Sequence, residues 1–210
     1  MFGKNDGYIY YTTGDSGIKA VLEPSQKMHQ LFGKVIRITE DGGIPESNPF
    51  VRTDGTSARC NLGGIEKGLV CEEIYAIGFR NPFRLSQNPD ATGTDEIYIS
   101  DVGGTAWEEI NLLKGGDNGG GNYGYPHREG PCHGRSVTEC DVPKEHAKMI
   151  DPMFWYGHDK RRAGCVSGTA MVPKGIGWPE KYLGKLLYMD FVFEGLYVLD
   201  RKSTRLNSSH

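Results

Sequence analysis

The chain has 210 residues, 37% of them hydrophobic, which is enough for a buried core and excludes global disorder. Its 24 Lys and Arg against 27 Asp and Glu leave a net charge of −3 with no basic run, which argues against a nucleic-acid-binding arm. Mean hydropathy is −0.50 and no stretch approaches the roughly 20 apolar residues of a membrane-spanning helix, while 30 Gly and 11 Pro without a three-residue period exclude collagen and predict many turns.

In chain order, short runs rich in Tyr, Ile and Val, bounded by Gly, Asp, Asn or Pro, predict strands over Tyr8–Thr13, Lys34–Thr39, Glu96–Asp101 and Glu108–Leu113. The same pattern predicts Met153–Tyr156, Ser167–Val172, Lys185–Asp190 and Leu196–Leu199. Helical periodicity is weak throughout, so an all-β fold is expected. Asp6-Gly7, Asp41-Gly42-Gly43 and Gly115-Gly116-Asp117 supply turns. Three strands close on an aspartate, Asp15, Asp101 and Asp190, and these copies lie about 90 residues apart. That loose repeat favours a β-propeller with long functional loops over a β-sandwich. Gly115–Gly121 looks like a phosphate-binding loop, but Asn-Tyr-Gly-Tyr-Pro follows it and cannot begin a helix, so it is read as a turn.

Cys60/Cys71 and Cys132/Cys140 each sit at the two ends of a loop poor in apolar residues. Two local disulfides are expected, and with them an oxidising compartment; unpaired thiols in a cytosolic protein are the alternative. Cys165 is left over, and no Cys-x-x-Cys or His-x-x-x-His spacing points to zinc. The last eleven residues, Asp200–His210, read DRKSTRLNSSH and have no packing pattern of their own. Back-translated, they resemble a sequencing-library adapter read in frame. Residues 1–199 are therefore expected to be native and 200–210 a non-native tail, with a disordered tail as the other reading.

Four blocks in unbroken order carry a family resemblance. They are Tyr10–Gly17 (YYTTGDSG); Phe32–Ile38 (FGKVIRI) with Gly43-Ile44-Pro45 and Asn48-Pro49-Phe50; Glu73–Pro82 (EIYAIGFRNP); and Asp101–Gly104 (DVGG) with Trp107–Asn111 (WEEIN) and Gly121–Pro126 (GNYGYP). Together they resemble the glucose/sorbosone dehydrogenase family, six-bladed β-propeller quinoproteins that use pyrroloquinoline quinone (PQQ) and calcium and include hedgehog-interacting-protein-like relatives. The likeness covers residues 5–199. Because such a protein is about twice this length, the resemblance implies a fragment, a partial six-bladed β-propeller of about half the blades.

PQQ is a planar, multiply anionic ortho-quinone, so its site calls for cationic forks, a hard cation on the quinone oxygens and a base for the substrate hydroxyl. The resemblance implies that Arg80 and Asn81 contact the cofactor, that Glu108 lies near it and that Gly103 and Gly104 offer backbone carbonyls to calcium. It also implies that Asp15 orients a catalytic His, since a carboxylate on an imidazole fixes its tautomer. Structural alternatives are a turn-stabilising Arg80 salt-bridged to a neighbouring blade, a plain hairpin at Gly103-Gly104 and an ordinary edge strand around Glu108. The catalytic His belongs to an Asn-His-x-Gly-Gly stretch upstream of the Asp-Gly-Tyr strand, so none of the six His here matches it; His158 is read as structural. Val102 stands where the glucose dehydrogenase type has Gln, and Phe193 where a Lys is expected. The implied function is oxidation of the anomeric hydroxyl of an aldose to a lactone by a secreted enzyme, with electrons leaving to an external acceptor. The alternative is a non-catalytic extracellular propeller that binds a protein or glycan.

Overall fold

In the computed structural model, the strands expected from composition form within one or two residues of their predicted bounds. The structure describes residues 1–17, 22–60, 64–116, 119–134, 136–138, 140–141, 143–158, 164–175 and 177–199, and the tail read as non-native lies outside them. The strands begin with β1 (Ile9–Thr13), β2 (Lys34–Ile38), β3 (Ser57–Ala58), β4 (Val70–Cys71), β5 (Ile74–Ile77), β6 (Pro82–Gln87) and β7 (Glu96–Asp101). There follow β8 (Trp107–Lys114), β9 (Arg128–Glu129), β10 (Cys132–His133), β11 (Phe154–Gly157), β12 (Val166–Met171), β13 (Leu186–Asp190) and β14 (Gly195–Leu199). Helix occurs as three-residue 3-10 turns, at Pro24–Gln26, Lys144–His146 and Glu180–Tyr182, in line with the weak helical periodicity.

Three antiparallel sheets follow one another, ordered β1-β2-β5, β6-β7-β8-β11 and β12-β13-β14. The chain leaves the last strand of one sheet and enters the first of the next, from β5 to β6 and from β11 to β12, and β6 packs against both β1 and β12. This is the stacking of successive propeller blades. β5 and β6 escape the composition pattern because Gly78–Asn81 joins them with hardly a break and Pro82 opens β6. Proline is tolerated there, at the first residue of a strand beside a register shift.

The two faces of β7 show how the blades adhere. Ile97 and Ile99 face the first sheet with Tyr10, Val35, Tyr75, Phe79 and Tyr123, whereas Tyr98 faces the third with Ile110, Val166 and Leu186. Successive side chains of a strand point to opposite faces, so one central strand feeds both interfaces. Glu108–Leu113 is not an edge strand, because β8 pairs with β7 on one side and β11 on the other. Its polar residues are instead buried, Glu108 and Asn111 completely.

Polar anchors complete the packing. Fully buried Arg37 lies between the rings of Tyr8 and Tyr75, at 4.8 and 4.6 Å, and its Nε donates to Asn48 Oδ1. Lys34 Nζ donates to the carbonyls of Pro24, Ser25 and Phe32; burial pulls the ammonium down to about 7, and the three acceptors favour its charged form. Both expected disulfides, Cys60–Cys71 and Cys132–Cys140, are formed, and Cys165 is free. From the glycine-rich turn the chain continues along β5: Gly120 N donates to Tyr75 O, Ile77 N to Gly121 O and Tyr123 N to Ile77 O. Asp117 and Asn118 lie outside the described residues.

Candidate active site

Antiparallel order brings the C-terminal ends of β1, β7 and β13 and the N-terminal ends of β6, β8 and β12 to one rim. The contacts across this rim are backbone N–H groups donating to neighbouring acceptors. Asp15 N donates to Arg80 O at 2.8 Å, and the Asp101 carboxylate accepts from Arg80 N at 3.1 Å and Asn81 N at 2.7 Å. Asp190 accepts from Cys165 N at 2.8 Å, Val192 N at 2.8 Å, Phe193 N at 2.7 Å and the Tyr156 hydroxyl. The recurrent aspartate that ends a strand is thus a device for tying down loops. At Asp101 and Asp190 it fastens the entry to the first strand of its own sheet.

Asp15, Arg80 and Asn81 meet in one cleft of about 360 Å³, lined also by Gly14, Ser16 and Gly17. The two loops touch closely: a Cβ on Gly14 would lie 3.3 Å from Asn81 Oδ1 and 3.5 Å from Arg80 O. Asp15 is mostly buried and its Oδ1 accepts from Gly17 N at 3.0 Å. Arg80 Nη1 donates to Val102 O at 2.9 Å and to Gly103 O. Among the described residues no carboxylate lies within ion-pair distance of Arg80, so the alternative of a salt bridge to a neighbouring blade is not what holds it.

Gly103 and Gly104 lie in the loop of the β7–β8 hairpin, the structural alternative for this pair. The loop doubles back so tightly that a Cβ on Gly103 would sit 1.5 Å from the Trp107 carbonyl oxygen, which is why glycine stands there. Gly104 N donates to Glu129 Oε1 at 2.9 Å. Glu108 does not line the cleft. Its Oε1 meets His158 Nε2 at 2.8 Å, and its Oε2 accepts from Val166 N at 2.9 Å and Gly103 N at 3.3 Å. Burial raises its carboxyl above the ordinary range, opposed by those hydrogen bonds. His158 is therefore structural in its contacts, clamping β8 to the end of β11.

Val102 packs among the apolar residues between the second and third sheets, and the Phe193 ring lies 6.2 Å from that of Tyr156. Sequence reasoning missed Glu109 and Glu129, both buried behind the rim. Glu109 stands opposite Asp101 in the β7–β8 register. Burial pushes Asp101 up to about 7 and Glu109 up to about 8, with the Asp101 charge adding to the latter. His127, His133 and His146, dispersed in sequence, stack with ring centroids 4.7 and 5.6 Å apart, away from the cleft.

The family model described as Glucose / Sorbosone dehydrogenase matches residues 1–206, a span that continues past Leu199 into the terminal segment. The chain belongs to that family. The chain is similar to aldose sugar dehydrogenase YliI of Escherichia coli, at 28% identity over 193 residues covering 89% of the chain and 44% of YliI. It is also similar to HIPL1 protein of Arabidopsis thaliana, at 31% identity over 181 residues covering 76% of the chain and 23% of HIPL1. Its fold superposes on the PQQ-bound form of aldose sugar dehydrogenase from Streptomyces coelicolor with a TM-score of 0.63 at 24% identity, covering 99% of this chain and 46% of that one. The chain spans less than half the length of each, and its three sheets form about half of a six-bladed propeller.

Proposed function

We propose that the chain is the part of a PQQ-dependent sugar oxidoreductase that supplies Arg80, Asn81 and Asp15 to its active site. The whole protein oxidises the anomeric hydroxyl of an aldose to a lactone and passes electrons to an external acceptor. The observation that carries this reading is the convergence of these three side chains, from two sheets, on one cleft. The donor set for an anionic planar ligand is Arg80, which brings a permanent cation, and Asn81, which brings an amide, in a cleft lined otherwise by Asp15 and the small residues Gly14, Ser16 and Gly17. PQQ, when bound, supplies the two-electron acceptor. Asp15, fixed by Gly17 N, would hold an imidazole in one tautomer, and the proposal assigns that general base to none of this chain's six His.

Calcium belongs to the proposal through the carbonyls of Gly103 and Gly104. The Gly103 carbonyl already accepts from Arg80, so a cation there has to share or displace that donor. Glu108 acts at one remove, through Gly103 N and His158. Two disulfides support an oxidising, extracellular location. A sugar substrate and an external acceptor are the partners proposed. Among the described residues no helix is long and apolar enough to cross a membrane.

Titrating the 210-residue chain with PQQ, followed by tryptophan fluorescence, tests the reading. Saturable binding is expected, weakened about tenfold or more by Arg80→Ala, because a charge-assisted hydrogen bond is worth about 1.5–3 kcal/mol. Asp15→Asn should leave that affinity within about twofold, since its role is toward the imidazole. Wild-type affinity in Arg80→Ala would overturn the assignment. The second reading, a non-catalytic propeller binding a protein or glycan, is favoured by Phe193, whose ring packs by Tyr156 where a cation is expected; absence of any saturable PQQ binding would support it.

A further inference from the structure

Glu129 lies on β9, only 2% exposed, outside every residue block that carries the family resemblance. Its Oε1 accepts four consecutive backbone N–H groups, from Gly104 at 2.9 Å, Thr105 at 3.0 Å, Ala106 at 3.0 Å and Trp107 at 3.1 Å. Successive N–H groups pointing into one concavity make an anion-binding nest, and here the protein fills it with its own carboxylate. The loop so gathered is the one whose preceding carbonyl, that of Gly103, accepts from Arg80 Nη1. Gly103 has little freedom of its own, being pressed against the Trp107 carbonyl, so the direction of its carbonyl follows the path of residues 104–107.

Glu129 is itself well fixed. Its strand pairs with β10 in the register Cys132↔Glu129, Cys132 is tied to Cys140, and the next N–H along, that of Gly130, donates to Glu109 Oε1. A continuous set of contacts therefore runs from the disulfide-anchored β9–β10 pair through Glu129 and the 103–107 loop to the Arg80 guanidinium.

We propose that Glu129 is a positioning residue, which holds the Gly103–Trp107 loop so that the Gly103 and Val102 carbonyls aim Arg80 into the cleft. The inference rests on the quinone reading for what Arg80 binds, but not for how Arg80 is held. Removing the carboxylate leaves four N–H groups without their acceptor and frees the loop to turn the Gly103 carbonyl away.

Phenylglyoxal modification of the 210-residue chain, with Arg80 quantified by mass spectrometry against the exposed Arg84, reads the guanidinium directly and needs no cofactor. Glu129→Ala should raise the Arg80 rate about fivefold or more, and Glu129→Gln should leave it within about twofold, because the amide oxygen still accepts. If Glu129→Ala does not fold, Glu129→Asp, with its carboxylate withdrawn by one methylene, should give an intermediate rise. An Arg80 rate unchanged in a folded Ala or Asp variant would overturn the proposal. In a parallel titration, PQQ affinity should fall about tenfold in Glu129→Ala and recover in Glu129→Gln. A rise in Arg80 reactivity with no PQQ binding even by the unmutated chain would support the positioning role and overturn the quinone reading.

Discussion

Asp190 shows what a single carboxylate does at the rim. It is the acceptor for three backbone N–H groups and the Tyr156 hydroxyl, and it is nearly buried. Asp190→Ala leaves all four donors in search of water, a loss of about 3 kcal/mol or more that a urea-unfolding midpoint measures directly. Asp190→Asn, which keeps an acceptor oxygen, should lose less. The aspartates were legible because each closes a recognisable strand, and Arg80, Asn81 and Asp15 because they sit in dense local motifs. Glu109 and Glu129 were not legible, and neither was the burial of Glu108, which the family resemblance singles out. Trp-Glu-Glu-Ile alternates like an edge strand and Arg-Glu-Gly carries no local signal of burial, and what receives these glutamates is a set of N–H donors from Val166, Gly130 and the 104–107 loop, distant in sequence from their acceptors.

At the scale of the element, β7 and β8 carry a buried acidic pair across their ladder, Asp101 opposite Glu109. Burial raises both, to about 7 and about 8, so between the ordinary carboxylate range and those values the folded state binds more protons than the unfolded. The stability this contributes is full below the ordinary range, declines as pH rises and is gone once pH has passed through about 8. The urea midpoint should therefore fall between about pH 5 and pH 8, and Glu109→Gln, which cannot ionise, should remove the share of that slope that Glu109 contributes while leaving that of Asp101, which its own burial raises. β7 itself was predicted to the residue because its Ile-Tyr-Ile run lies between clear turns. β5 and β6 were not, since the link between them lacks the turn chemistry that separates strands elsewhere, and β8 was misjudged as an edge because its buried glutamates imitate a solvent-facing pattern.

For the molecule as a whole, the third sheet ends on β14, which among the described residues pairs only with β13. Leu196 and Val198 on it, with Met189 and Phe191 nearby, are exposed. An unpaired strand edge beside exposed apolar side chains is a template for another chain. The isolated 210-residue chain is thus expected to self-associate at micromolar concentration, seen by sedimentation velocity, and Leu196→Lys with Val198→Lys should shift it toward monomer. A monodisperse monomer of the unmutated chain would contradict this. The all-β class and the partial propeller were both accessible from the sequence, the first from strand-and-turn composition and the second from the order of the family blocks.

The stretch from Gly120 to Tyr125 belongs in sequence to the second sheet, between β8 and β11, yet its hydrogen bonds run to β5 and Gly78 of the first. Gly78, at φ +84, leaves no room for a side chain there, since a Cβ would lie 2.3 Å from Asn122 Oδ1. The first two blades are therefore laced rather than merely stacked: neither can open without breaking backbone bonds of the other. They should protect their amides as one cooperative unit, while the third blade, attached through side-chain packing and the rim clamps, is free to breathe separately.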